Sequence, residues 1–174
     1  MTVLTITTSP EPILRKKARK IRTISTAIET LIEDMIETLR AAPGVGLAAP
    51  QVGVSQRLIV AEFGEPSEDP EAPPKPPKLY VILNPEIVRH SKETNLNNEG
   101  CLSIPGYMGE VERFDTVTVK GMDRNGRDFR IKAKGWLARI LQHEIDHLEG
   151  ILFIDNATSV WKLEEKEEEA PQSV

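Results

Sequence analysis

Gln142-His143-Glu144-Ile145-Asp146-His147-Leu148-Glu149-Gly150 closes a helical pattern that runs over 136–148 between Gly135 and Gly150. Within it Leu137, Leu141, Ile145 and Leu148 form one apolar stripe. His143 and His147, four residues apart, fall on another face, in line with Trp136, Arg139 and Ile140. A helix with one stripe for a core and a second face for chemistry belongs inside a domain, between other layers.

Working outward, Val117 and Val119 alternate with Thr116 and Thr118, and Asn125-Gly126 marks a turn into Phe129 and Ile131, a hairpin pattern. Residues 57–63 and 79–83 also read as strands; Asn84-Pro85 breaks the second, and 86–90 continues the sheet. The proline-rich, aperiodic stretch 64–78 between them reads as a mobile surface loop. Nearer the start, Ile28, Leu31, Ile32, Met35, Ile36 and Leu39 recur at helical spacing. Glu29 stands three residues after Thr26 as in a capping box, and Pro43-Gly44 ends the helix. Helices segregated from hairpin-rich strands predict an α+β fold. Antiparallel or mixed β-sheets would pack around the central motif helix, with the other helix near the N-terminus. The expected organisation is a single catalytic domain over 1–155 and an acidic tail over 156–174, whose end, 161–174, reads as a frayed acidic helix or a disordered tail.

The 174 residues, 39% hydrophobic and 28% charged, suit one soluble globular domain. A net charge of −5 gives no basic footprint, so DNA binding is not expected. No run approaches a membrane span, and residues 1–10 lack the basic head and apolar core of a secretion signal. The lone Cys101 excludes an internal disulfide and fits the reducing cytoplasm, the expected location. A monomer is expected, since no heptad or large exposed apolar pattern appears.

Histidines at i and i+4 on a helix can reach a single divalent ion, and Glu144, beside the first, can hold a water on that ion without ligating it. Such water loses its proton near neutral pH. A third protein ligand must come from elsewhere. His90 reads as an ordinary surface residue. Cys101, in Asn98-Glu99-Gly100-Cys101-Leu102-Ser103-Ile104-Pro105-Gly106, is alone a buried structural thiol; beside the helix motif it completes a two-His, one-Cys set with a position open for water. A zincin endopeptidase would take its third ligand downstream of the helix, where only Asp155 and tail glutamates stand. A closed structural zinc site needs four ligands that this chain lacks the cysteines and histidines to supply readily. Asp146, off the ligand face, reads as a structural acid paired with an arginine.

Three segments together resemble the signature motifs of peptide deformylases: Gly44-Val45-Gly46-Leu47-Ala48-Ala49-Pro50-Gln51, Glu99-Gly100-Cys101-Leu102-Ser103, and the helix motif quoted above. Their order and approximate spacing also match that family, and the resemblance runs from about 13 to 153. It implies hydrolysis of the formyl group from the N-terminal formyl-methionine of nascent polypeptides. Cys101, His143 and His147 would bind the metal. Glu144 would take a proton from the water and deliver it to the leaving amine. The side-chain amide of Gln51 and the main-chain N–H of Leu102 would stabilise the oxyanion together with the metal.

Gly46 would let the substrate run along this loop as an added strand, although the glycines alone read equally as turn chemistry. Val45, Trp136, Ile140 and the stem of Arg139 would line the methionine pocket. The resemblance suggests Fe(II) as the physiological ion, with Zn(II), Ni(II) or Co(II) able to occupy the site. In some relatives a basic C-terminal helix docks at the ribosomal exit. Here 162–169 carries five glutamates and two lysines, the wrong sign for RNA phosphates. Any ribosome contact is therefore expected to be transient or to use another surface, such as the basic stretch 15–22.

Overall fold

The computed structural model describes residues 1–65, 67, 69, 71–73 and 75–164. Among them a helix α1 (Thr26–Ala41) precedes β1 (Gly46–Ala48), β2 (Leu58–Phe63), β3 (Lys78–His90), β4 (Thr94–Cys101), β5 (Ile104–Phe114), β6 (Thr116–Met122) and β7 (Asp128–Lys134). The motif helix α2 (Gly135–Leu148), a short α3 (Phe153–Asn156) and β8 (Ala157–Lys162) follow. The strands make two antiparallel sheets, one ordered β1-β2-β3-β6-β7 and one β4-β5-β8, so the α+β expectation holds. No helix among the described residues is long and apolar enough to cross a membrane.

The larger sheet is the one that hydropathy outlined. The 116–134 hairpin pairs Thr116 with Lys134 and Met122 with Asp128 around its turn. There Asp123 accepts the N–H groups of Asn125 and Arg127, and Gly126 takes φ 78°. Leu137, Leu141, Ile145 and Leu148 bury the apolar stripe of α2 against Ala48, Ile59, Ile82, Val117 and Val119 of this sheet. Helix α1 covers another part of it through Ile32, Met35, Ile36 and Leu39. Its N-cap is Ser25 rather than Thr26: Ser25 keeps extended φ/ψ and its side chain accepts the Ile28 N–H.

Asn84-Pro85 does not end the third strand. Asn84 adopts φ 51°, the register shifts between Leu83 and Glu86, and pairing with β6 resumes beyond it. Asn tolerates the left-handed region, and at a bulge proline's missing N–H is harmless. The Asn84 side chain also accepts from Ile21 N–H and donates to Ile21 C=O, both at 2.8 Å, tying the preceding segment to the sheet.

Two strands of the smaller sheet, β4 and β5, left no hydropathy signal. The third corrects the expected domain boundary. Ala157–Lys162, assigned to the tail, is β8, paired with β5 from Tyr107↔Lys162 to Val111↔Ala157. Just beyond it the Leu163 N–H donates to the Gly106 carbonyl at 2.8 Å. The frayed helix or disordered tail expected over 161–174 is corrected at Trp161 and Lys162, which end β8, while 165–174 lie outside the described residues. In the 64–78 loop the described positions before Lys78 carry no regular structure and lie at or near the surface, while Pro66, Glu68, Pro70 and Pro74 lie outside the description.

Candidate metal centre

Cys101 is the last residue of β4. Its pairing with Ile104 leaves Leu102 and Ser103 as a two-residue turn, after a register shift at Gly100. That turn brings the sulfur up to α2, where one ligand atom each from Cys101, His143 and His147 lies within 4.8 Å of the others. Cys101 Sγ stands 3.3 Å from His147 Nε2. The Nδ1 atom of His143 lies 2.9 Å from Glu99 Oε2, which fixes the ring and leaves its Nε2 for the cluster. The three residues that pattern and spacing singled out therefore do meet. His90 is remote from them, exposed and stacked on Phe114.

The chemistry of this donor set fits a cation. A thiol and two imidazoles face one point, and burial, with His143 next to it, lowers the His147 pKa well below its ordinary value. Burial would also lower His143, but hydrogen bonds with Cys101 and Glu99 override it and push that ring up to about 10. Glu144, 4% exposed, keeps its Oε2 without a hydrogen-bond partner. Burial raises its carboxyl to about 7, although His143 pulls it the other way.

Gly46 has a second use beside the expected one. A Cβ there would lie 2.8 Å from Glu144 Cδ and closer still to Glu144 Oε1, so the glycine clears space for this carboxylate. Gln51 is 1% exposed and held on both sides of its amide. Its Oε1 accepts the Ala48 N–H at 2.8 Å, which turns Nε2 toward Ser103 Oγ at 3.1 Å and Cys101 Sγ at 3.6 Å. Val45, Leu102, Trp136, Arg139 and Ile140 all line a cavity of about 680 Å³ that reaches Cys101, His143 and Glu144. That size is ordinary for a small-ligand pocket. His147, 1% exposed, stands behind the cavity wall. Leu163 lines the same cavity.

Sequence reasoning missed the support beneath the cluster. Glu99 accepts from Arg113 Nε at 2.9 Å and Arg139 Nη1 at 2.7 Å, besides holding His143. Arg113 also reaches Asp146, the structural acid expected from its place on the helix. Arg139 bonds the Val111 carbonyl and Asn95, so its guanidinium serves this network and only its stem is left for the pocket. Burial raises the Glu99 carboxyl, but hydrogen bonds from His143 and Arg113 outweigh it and hold the group at about 2. The missed signal was the spacing: two residues apart on a strand, Glu99 and Cys101 share a face.

Two imidazoles four residues apart on a helix, with a buried glutamate beside the first, are the motif of metal-dependent hydrolases of the His-Glu-x-x-His class. A model of the polypeptide deformylase family matches residues 3–162. A peptide deformylase of Dehalococcoides mccartyi (strain CBDB1) is 49% identical over 176 residues, covering 100% of this chain and 99% of that one. The crystal structure of the Ehrlichia chaffeensis peptide deformylase in complex with actinonin has a TM-score of 0.82 at 43% identity, covering 91% of each chain. That of the Thermotoga maritima enzyme has 0.79 at 37%, covering 91% of this chain and 100% of that one. The chain belongs to the polypeptide deformylase family. It is a metal-dependent hydrolase that removes the N-terminal formyl group from nascent polypeptides.

Proposed function

We propose that Cys101, His143 and His147 hold one divalent cation and that Glu144 carries the proton of the reaction. The observation behind this reading is the convergence of those three ligand atoms within 4.8 Å beside a buried carboxylate with an unpartnered oxygen. When bound, the cation supplies Lewis acidity, making water more acidic and polarising the formyl oxygen. Glu144 takes a proton from the water that adds to the formyl carbon, then returns it to the nitrogen as the C–N bond breaks, yielding formate and a free amine. The Gln51 amide and the Leu102 N–H stabilise the negative oxygen, and each such donor contributes ~10²–10³ to turnover.

The methionine side chain occupies the part of the cavity lined by Val45, Trp136, Ile140 and the Arg139 stem, with the peptide running along Gly46 as an added strand. The soft thiolate makes Fe(II) suitable as the cellular ion, with Zn(II), Ni(II) or Co(II) as substitutes. The enzyme works in the cytoplasm as a monomer. Contact with the ribosome, if any, is transient and uses the 15–22 segment, where Arg19, Lys20 and Arg22 are exposed and, among the described residues, free of ion pairs. Co-sedimentation that vanished on deleting 161–174 would refute that assignment.

The central test is Glu144→Ala. It keeps its metal by elemental analysis of anaerobically purified protein, yet loses ~10²–10⁴ in turnover of a formyl-Met peptide. A variant that stayed active would refute the mechanism, and one that lost its metal would make Glu144 structural.

A further inference from the structure

Two backbone hydrogen bonds leave one short segment near the N-terminus and land in two different loops of the site. The Thr7 N–H donates to the Gln51 carbonyl at 2.7 Å, and the Ser9 N–H donates to the Ser103 carbonyl at 2.8 Å. Gln51 belongs to the 3-10 turn Ala49–Val52 that follows β1 in the larger sheet; Ser103 lies in the turn between β4 and β5 of the smaller one. The segment therefore bridges two loops that no strand pairing joins.

Gln51 is the group most affected. Its carbonyl is held by Thr7, its amide oxygen by Ala48 and its amide nitrogen by Ser103, which Ser9 holds in turn. The segment has its own anchors on α1, where the Thr2 N–H reaches Asp34 Oδ1 at 2.7 Å and the Leu4 N–H reaches Thr38 Oγ1 at 2.8 Å. Losing the bond at Thr7 thus leaves the segment attached.

We infer that Thr7 and Ser9 are positioning residues that act through their main-chain N–H groups, not their side chains, to hold the Gln51 amide in place toward Cys101. The inference rests on the proposed donor role of Gln51 and adds what keeps that donor aimed.

Thr7→Pro removes the N–H. In the cation-loaded enzyme kcat for a formyl-Met peptide falls by up to ~100-fold, with KM and cation content near the parent values. Thr8→Pro deletes the N–H of an exposed neighbour and leaves kcat near the parent value. In a Gln51→Ala background Thr7→Pro costs almost nothing more, because the effect passes through that side chain. If Thr7→Pro does not fold, an ester in place of the residue-7 amide deletes the same N–H and supports the same comparison. Unchanged kcat in Thr7→Pro, or equal losses with and without Gln51, would overturn the inference alone. Full turnover by Gln51→Ala would overturn the donor role itself and this inference with it.

Discussion

His143 and His147 ride on a helix whose opposite stripe, Leu137, Leu141, Ile145 and Leu148, is packed into an aliphatic sheet. Cys101 stands on a strand whose buried support is Glu99, gripped by Arg113 and Arg139. The helix as a body is thus held by non-directional burial, while the His143 ring it carries and the strand facing it are tied by hydrogen-bonded charges. The contrast separates two jobs. Apolar packing stabilises the helix but tolerates small readjustments, whereas the ion network fixes the His143 ring in one geometry and fails if a member is lost.

The largest effect should come from breaking the charged side. Glu99→Ala leaves buried Arg139 without its acid and Arg113 with Asp146 alone, and should cost about 3–5 kcal/mol in denaturant unfolding. It should also weaken cation binding ~10–100-fold, since His143 loses the partner of its Nδ1. Acid unfolding checks the same group. Its folded-state carboxyl sits at about 2 against an ordinary 4.5, so its contribution is full above 4.5 and is lost as pH falls toward 2. Glu99→Gln should flatten that acid limb.

Next comes the apolar side. Leu141→Ala should cost about 2–5 kcal/mol by the same unfolding assay, while the folded fraction keeps its cation affinity and turnover. A loss of cation affinity comparable with that of Glu99→Ala would erase the distinction.

The smallest effect marks the limit of charge as an explanation. Arg40 and Glu62 form a two-bond pair at the surface, and the arginine holds the Glu62 carboxyl below its ordinary value. Solvent screens it, so Arg40→Ala should leave the thermal midpoint within the scatter of repeat scans. Whatever it contributes is present at neutral pH and fades as acid protonates Glu62. A drop rivalling that of Glu99→Ala would show that burial is not what separates the two sets of charges.

The same contrast explains what could be read in advance. The larger sheet and both main helices obey simple periodicities, since each has one face on an apolar core, as Val117 and Val119 do on β6. In β4 and β5 the inward positions include Glu99 and Arg113, so alternation of hydropathy disappeared just where the fold is most constrained. The His-Glu-x-x-His spacing was legible because helix geometry alone aligns it, and the three motifs together supplied Cys101. Arg113 was not, because a charge in a polar stretch declares itself only once a distant Glu99 folds over it. Asn84-Pro85 misled in the opposite sense: a dipeptide that usually punctuates a strand here builds a bulge inside one.

β8 ends beside the cavity, with Leu163 on its rim. A larger or charged side chain in place of Leu163 would therefore narrow the mouth of the proposed peptide cavity, even though it touched no atom of the cation cluster.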